Sequence, residues 1–208
     1  MGFLDTIEVK QNLIITVRER GKIVDRREGH NIWVNLGREY LAKLISYSLM
    51  SPLTPETDYR IRYMGVGIGG NRQLTLATAN AAPLGVSYSG TNAQTDSDAT
   101  VTQLERPVRI SGGAAGYPGI GTDVWVGQVA APAVHPLATQ TKFIRTFTSG
   151  EVNYGTFLSV PLSEIGLFTN EAFTPGVPRP TGLVAYDTFD TISKTAAFEL
   201  EIDWTIRF

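Results

Sequence analysis

A chain of 208 residues with 42% hydrophobic and 18% charged residues can bury a core without disulfides and lies outside the regime in which a chain stays disordered. Its 18 Lys and Arg are matched by 20 Asp and Glu, giving a net charge of −2, which excludes a broad electrostatic pull towards phosphate backbones and so nucleic acid as a main partner. The absence of cysteine removes disulfides, thiol nucleophiles and thiolate metal sites, while 21 glycines and 11 prolines favour a turn-rich β fold over a helical bundle.

The opening residues place Asp5 and Glu8 where an export signal needs a basic start and an apolar run. No stretch reaches the roughly 18 apolar residues of a membrane helix. The expectation is a soluble protein made in the cytoplasm, without membrane insertion. Residues 1–6 read as an N-terminal arm. From Ile7 to Val17 the positions Ile7, Val9, Leu13, Ile15 and Val17 are apolar between mostly polar neighbours, the period of a strand with one buried face. Arg20, Gly21 and Lys22 interrupt it before Ile23 and Val24, which predicts a tight hairpin around Gly21. Its exposed face carries Arg18, Arg20, Lys22, Arg26 and Arg27 beside Glu19, Asp25 and Glu28, the pattern of a solvated mixed-charge surface.

Asn35 is placed to cap a helix running to about Met50, because Leu36, Tyr40, Leu41, Leu44 and Ile45 recur at helical spacing and Ser51-Pro52 stops it. Its apolar stripe needs a sheet to lie on. Arg60 to Ile68 reads as a strand entering Gly65, Gly67, Gly69 and Gly70. Residues 71–99 show no period and read as a long loop insertion. Val101 to Ile110 is a strand candidate that Pro107 restricts to an edge or bulge. A second long loop spans 112–136, broken only by Asp123 to Val129.

The last third is the most regular, with strand candidates at Lys142 to Phe147, Val160 to Phe168, Leu183 to Phe189 and Ala196 to Phe208. In the last, Phe198, Leu200, Ile202, Trp204, Ile206 and Phe208 alternate with Glu199, Glu201, Asp203, Thr205 and Arg207. Around Glu164, Ile165 and Gly166 the alternation slips, as at a β-bulge with a glycine. The chain reads as one mostly β domain over 1–208, an antiparallel sandwich or jelly-roll-like core with one packed helix and long loops.

Catalytic patterns fail one by one. Gly65-Val66-Gly67-Ile68-Gly69-Gly70 fits G-x-G-x-x-G, yet no helix follows to aim its N-terminus at a pyrophosphate, and Arg72 and Gln73 replace the lysine and hydroxyl of a P-loop. The two histidines, His30 and His135, lie beside neither G-x-S-x-G nor H-E-x-x-H. Asp96-Ser97-Asp98 opens like a calcium loop but lacks its later glycine and glutamate. Glu151, Glu164, Asp187 and Asp190 are the carboxylates available for glycoside hydrolysis, and Glu164, between apolar neighbours, is expected to be buried and to accept backbone or arginine hydrogen bonds. No enzyme, catalytic residue, metal or cofactor is expected.

Taken in order, several segments resemble tailed-bacteriophage virion structural proteins of neck, collar, tail and baseplate type. They are His30-Asn31-Ile32-Trp33-Val34-Asn35-Leu36-Gly37, Tyr63-Met64-Gly65-Val66-Gly67-Ile68-Gly69, Leu104-Glu105-Arg106-Pro107-Val108 and Leu162-Ser163-Glu164-Ile165-Gly166-Leu167-Phe168. Leu183-Val184-Ala185-Tyr186-Asp187-Thr188-Phe189, Lys194 and Trp204-Thr205-Ile206 complete the set. The resemblance covers both ends and thins out between about Asn71 and Gln140. It implies a virion location and a homo-oligomer contacting other virion proteins.

Apolar residues in the irregular stretches have no periodicity to place them in one core, so Leu74, Leu76, Leu84, Tyr117, Ile120 and Val134, with Phe3 and Leu4 of the arm, are candidate assembly contacts. Tyr88 and Trp125 join them, and would be the binding aromatics if the particle protein were instead a glycan-binding adhesin. A capsid decoration protein shares all these features.

Overall fold

The computed structural model describes residues 10–29, 32–46, 60–69, 104, 107, 108, 110, 127–129, 139–152, 159–169 and 182–207. The chain forms β1 (Lys10–Glu19), β2 (Lys22–Gly29), β3 (Ile32–Trp33), α1 (Asn35–Ser46), β4 (Tyr63–Gly67), β5 (Gly127–Gln128), β6 (Gln140–Phe147), β7 (Val160–Phe168), β8 (Leu183–Lys194) and β9 (Phe198–Arg207). These make two antiparallel sheets, a four-stranded one in the order β2-β1-β9-β6 and a five-stranded one in the order β3-β8-β7-β4-β5. Among the described residues the fold is a β-sandwich with one short helix, as the periodicities imply.

The β1–β2 hairpin closes through Arg20 and Gly21, both at positive φ (48° and 78°), with Glu19 opposite Lys22. Two left-handed central residues match the right-handed twist of the flanking strands, and glycine adopts that conformation without the Cβ penalty Arg20 accepts.

The main core lies between the sheets. Leu13, Ile15 and Val17 of β1 and Leu200, Ile202, Trp204 and Ile206 of β9 meet Met64 and Val66 of β4 and Leu162, Ile165 and Leu167 of β7. Every second residue of β9 is buried, as its alternation requires, and the Trp204 indole N–H donates to Gln11 Oε1 at 3.0 Å, so the ring is buried without orphaning its donor.

The five-stranded sheet is buried on both faces. Val34, Tyr63, Leu104, Phe168, Leu183 and Tyr186 form a second cluster on its outer side, with Leu36 of α1 against it. Strands covered twice cannot alternate, and all of β4 and most of β7 are buried. Helix α1 docks on β8 backbone to backbone. A Cβ on Gly37 would overlap the Val184 carbonyl, to whose oxygen the Val34 N–H donates at 3.1 Å. Arg38 N–H donates to Val34 O, so Val34 holds the cap position and the helix begins at Asn35, the residue expected to cap it, one residue sooner than expected.

Three further details differ from expectation. The register of β7 against β8 shifts between Leu162 and Glu164 and again between Leu167 and Phe168, while Gly166 pairs regularly with Gly65 and Tyr186; its glycine is needed because a Cβ would strike Leu183 and the Phe168 ring. Strand β8 continues past Phe189 to Lys194. Within Val101 to Ile110 the described residues contribute a single bridge, Pro107 to Gly67, with Val108 N–H donating to Val66 O at 2.8 Å.

Candidate functional site

The glycine run that fits G-x-G-x-x-G belongs to β4 and its exit, and none of Gly65, Gly67 and Gly69 is at positive φ. Its exit holds a protein carboxylate. Glu164, fully buried on the outer side of the five-stranded sheet, accepts the Gly69 N–H at 2.9 Å and the Tyr186 hydroxyl at 3.2 Å. The expected acceptor role is met by backbone and a tyrosine. Asp187 is also buried, but Ile165 is its cross-strand partner, so it faces the core side while Glu164 faces the other. Glu151 lies in the turn after β6, and Asp190 is exposed on β8. The sheet therefore separates the two buried candidate carboxylates, and among the described residues no group of three His, Asp or Glu is placed to hold a metal ion.

A buried cation that the sequence does not announce lies at the opposite end of β8. Lys194 is 1% exposed, and its ammonium donates to the backbone oxygens of Glu151 (3.2 Å) and Thr195 (3.0 Å). Burial pushes its pKa from 10.5 down to about 8, against the opposing pull of Glu151 and Glu199. The Glu151 carboxylate pairs with Arg145 and accepts the Thr148 N–H at 2.9 Å, while Arg145 lies 5.2 Å from the centre of the Phe147 ring. Val152 follows at φ 56°, buried, its N–H donating to Ile110 O at 3.0 Å. Lys194 thus ties the turn after β6 in one sheet to the β8–β9 corner at the end of the other. Its inward facing follows from Ile192 two residues before it, a signal lost when the strand is ended at Phe189.

The four-stranded sheet offers the geometry suited to recognition. Its edge strands are β2 and β6, and among the described residues no strand pairs with the outer side of either. A sheet edge presents unpaired backbone N–H and C=O groups that a further strand can take up. At the hairpin tip Ile23 is 55% and Val24 51% exposed, the large hydrophobic side chains most open to solvent among the described residues. A register shift between Val17 and Arg18 leaves Val24 without a partner on β1. Ion pairs line the outward face of the sheet, Arg18–Glu201 at 3.1 Å, Arg26–Glu28 at 3.0 Å and, on β6, Lys142–Asp203 at 2.7 Å, whereas Arg27 and Asp25, expected on the exposed face, pair at 2.9 Å on the side of β2 that Ile15 and Val17 share, towards the other sheet. The Arg27 guanidinium also donates to the Asp190 carbonyl of β8, pinning the inner end of β2 to the other sheet.

The ten residues expected to make assembly contacts, Phe3, Leu4, Leu74, Leu76, Leu84, Tyr88, Tyr117, Ile120, Trp125 and Val134, lie outside the described residues, as do His30 and His135. No described helix is long and apolar enough to cross a membrane. No family model, curated protein or solved structure matches this chain.

Proposed function

We propose that this chain is a structural subunit of a tailed-phage virion, of neck, collar, tail or baseplate type, acting by assembly with copies of itself and with neighbouring virion proteins. The observation that carries the reading is the four-stranded sheet with two long edge strands and an exposed Ile23–Val24 tip, a surface built for strand addition rather than turnover. The order of segments resembling virion proteins supports the class, and the net charge of −2 argues for protein partners. Two buried charges fit the same reading, since Glu164 accepts the Gly69 N–H and the Tyr186 hydroxyl and Lys194 donates to two backbone carbonyls.

The test is composition and imaging of purified particles carrying an epitope-tagged copy. The subunit should be present in a fixed multiple per particle, with the tag at one symmetric station. Absence from particles, together with polysaccharide cleavage by the isolated protein that is lost in Glu164→Gln, would reverse the proposal.

A further inference from the structure

Resting on the assembly reading, we infer that copies of this chain join head to tail through their four-stranded sheets, β6 of one against β2 of the next, in one register. Strand polarity comes first. β6 runs antiparallel to β9, β9 to β1 and β1 to β2, so the two edges of the sheet run in opposite directions. Rotating a second copy about an axis along the strands therefore brings its β2 antiparallel to β6 of the first, and repetition closes a ring or extends a filament.

The charges select the register. With Lys142 opposite Glu28 of the next copy, Arg145 falls opposite Asp25, so two opposite-charge pairs coincide. A slip of two residues one way opposes Lys142 to Arg26, and the other way Arg145 to Arg27, like charges in both cases. A slip of one residue mismatches the faces. The new pairs extend existing ones, since Lys142 already meets Asp203, Arg145 meets Glu151 and Asp25 meets Arg27. Two β2 strands joined about a two-fold axis fare worse, because registers centred on Asp25, Arg26 or Arg27 put that charged residue opposite itself. The half-exposed Val24 lands opposite the exposed Thr146, at the end where the apolar tip would be covered.

The natural chain has no cysteine, which makes the register readable by cross-linking. Within one copy, residues 24 and 146 sit on opposite edges, three inter-strand spacings or about 14 Å apart, too far for a disulfide. Particles assembled with Val24→Cys/Thr146→Cys should give, on mild oxidation, a ladder of covalent multimers that either single variant cannot form. Self-association of the isolated protein should weaken about 5- to 10-fold in Lys142→Glu and in Glu28→Lys, each of which also loses an ion pair within the subunit, to Asp203 and to Arg26. It should return in the double reversal, which a purely intramolecular effect would not produce. Incorporation without the ladder, cross-links only to a different virion protein, or indifference to charge reversal would overturn the edge-to-edge inference and leave the assembly reading standing. Absence of the chain from particles would overturn both.

Discussion

Trp204 and Glu201 stand three residues apart on β9 and face opposite ways, so they test the assigned facing most directly. Trp204→Ala should cost about 3 to 5 kcal/mol, a large share of a domain's stability, because the fully buried ring leaves a cavity and strands the Gln11 carbonyl. Glu201→Ala removes one half-exposed pair with Arg18 and should cost about 1 kcal/mol or less. Urea midpoints measure both, and similar shifts would show the facing to be wrong. Lys194 gives a pH-dependent test. Its pKa falls from 10.5 in the unfolded chain to about 8 in the fold, so between those values the unfolded chain holds more protons. Stability should therefore rise with pH across that window, as a penalty of about 3 kcal/mol present below pH 8 is relieved. Lys194→Met should flatten this rise relative to the natural chain, and an unchanged slope would mean that the ammonium is not desolvated.

At the level of elements, the seat of α1 makes the sharpest prediction. Gly37→Ala forces a methyl into the Val184 carbonyl and should lower stability by about 2 kcal/mol or more, whereas Gly150→Ala, whose Cβ would meet nothing nearer than 4.0 Å, should stay within about 0.5 kcal/mol. Elements with one wet face were legible in the sequence. The alternation of β9 and the Gly21 hairpin stand where their patterns put them, because a strand covered on one side writes its facing into every second residue. The second half of β8 reads as a turn, since Asp190, Thr191 and Ser193 look like loop residues, and Asp190 and Ser193 are exposed on the strand; in β7 the slip expected around Glu164, Ile165 and Gly166 meets a register shift just before Glu164. Asn35 has the chemistry of a cap, but the docking of Val34 on Val184 fixes the helix start one residue sooner. Of the candidate site, the mixed-charge hairpin was readable as an exposed face. That it forms one edge of a sheet whose other edge is β6 was not, because strand order is a long-range property absent from local periodicity.

For the whole molecule, stability should be graded from the middle of the four-stranded sheet outwards. β1 and β9 are each flanked on both sides, while β2 and β6 have one neighbour apiece among the described strands. In the isolated subunit, amide hydrogen exchange should be slowest in β1 and β9 and faster along the outer groups of β2 and β6, with both edges slowing on assembly. Uniform protection in the monomer would mean that the edges are already covered.

The partnership of β1 with β9 has a temporal side as well. Lys10 lies opposite Arg207, and Gln11 is joined to Trp204 across a sequence separation of 193. The centre of this sheet is thus closed by segments made nearly a full chain-length apart. Closing so large a loop carries its entropy cost before any packing repays it, which places folding in the slow, millisecond-to-second class and after synthesis of β9. A nascent chain halted before Phe198 would hold β1 with one side of its ladder unfilled and Leu13, Ile15 and Val17 without the β9 residues that bury them. Such arrested chains should be cut readily by protease, and release of the last ten strand residues should bring resistance in one step. A chain that becomes foldable only when β9 is available cannot complete the edges of this sheet before then, so in the proposed assembly unfinished copies would be barred by the order of their own strands.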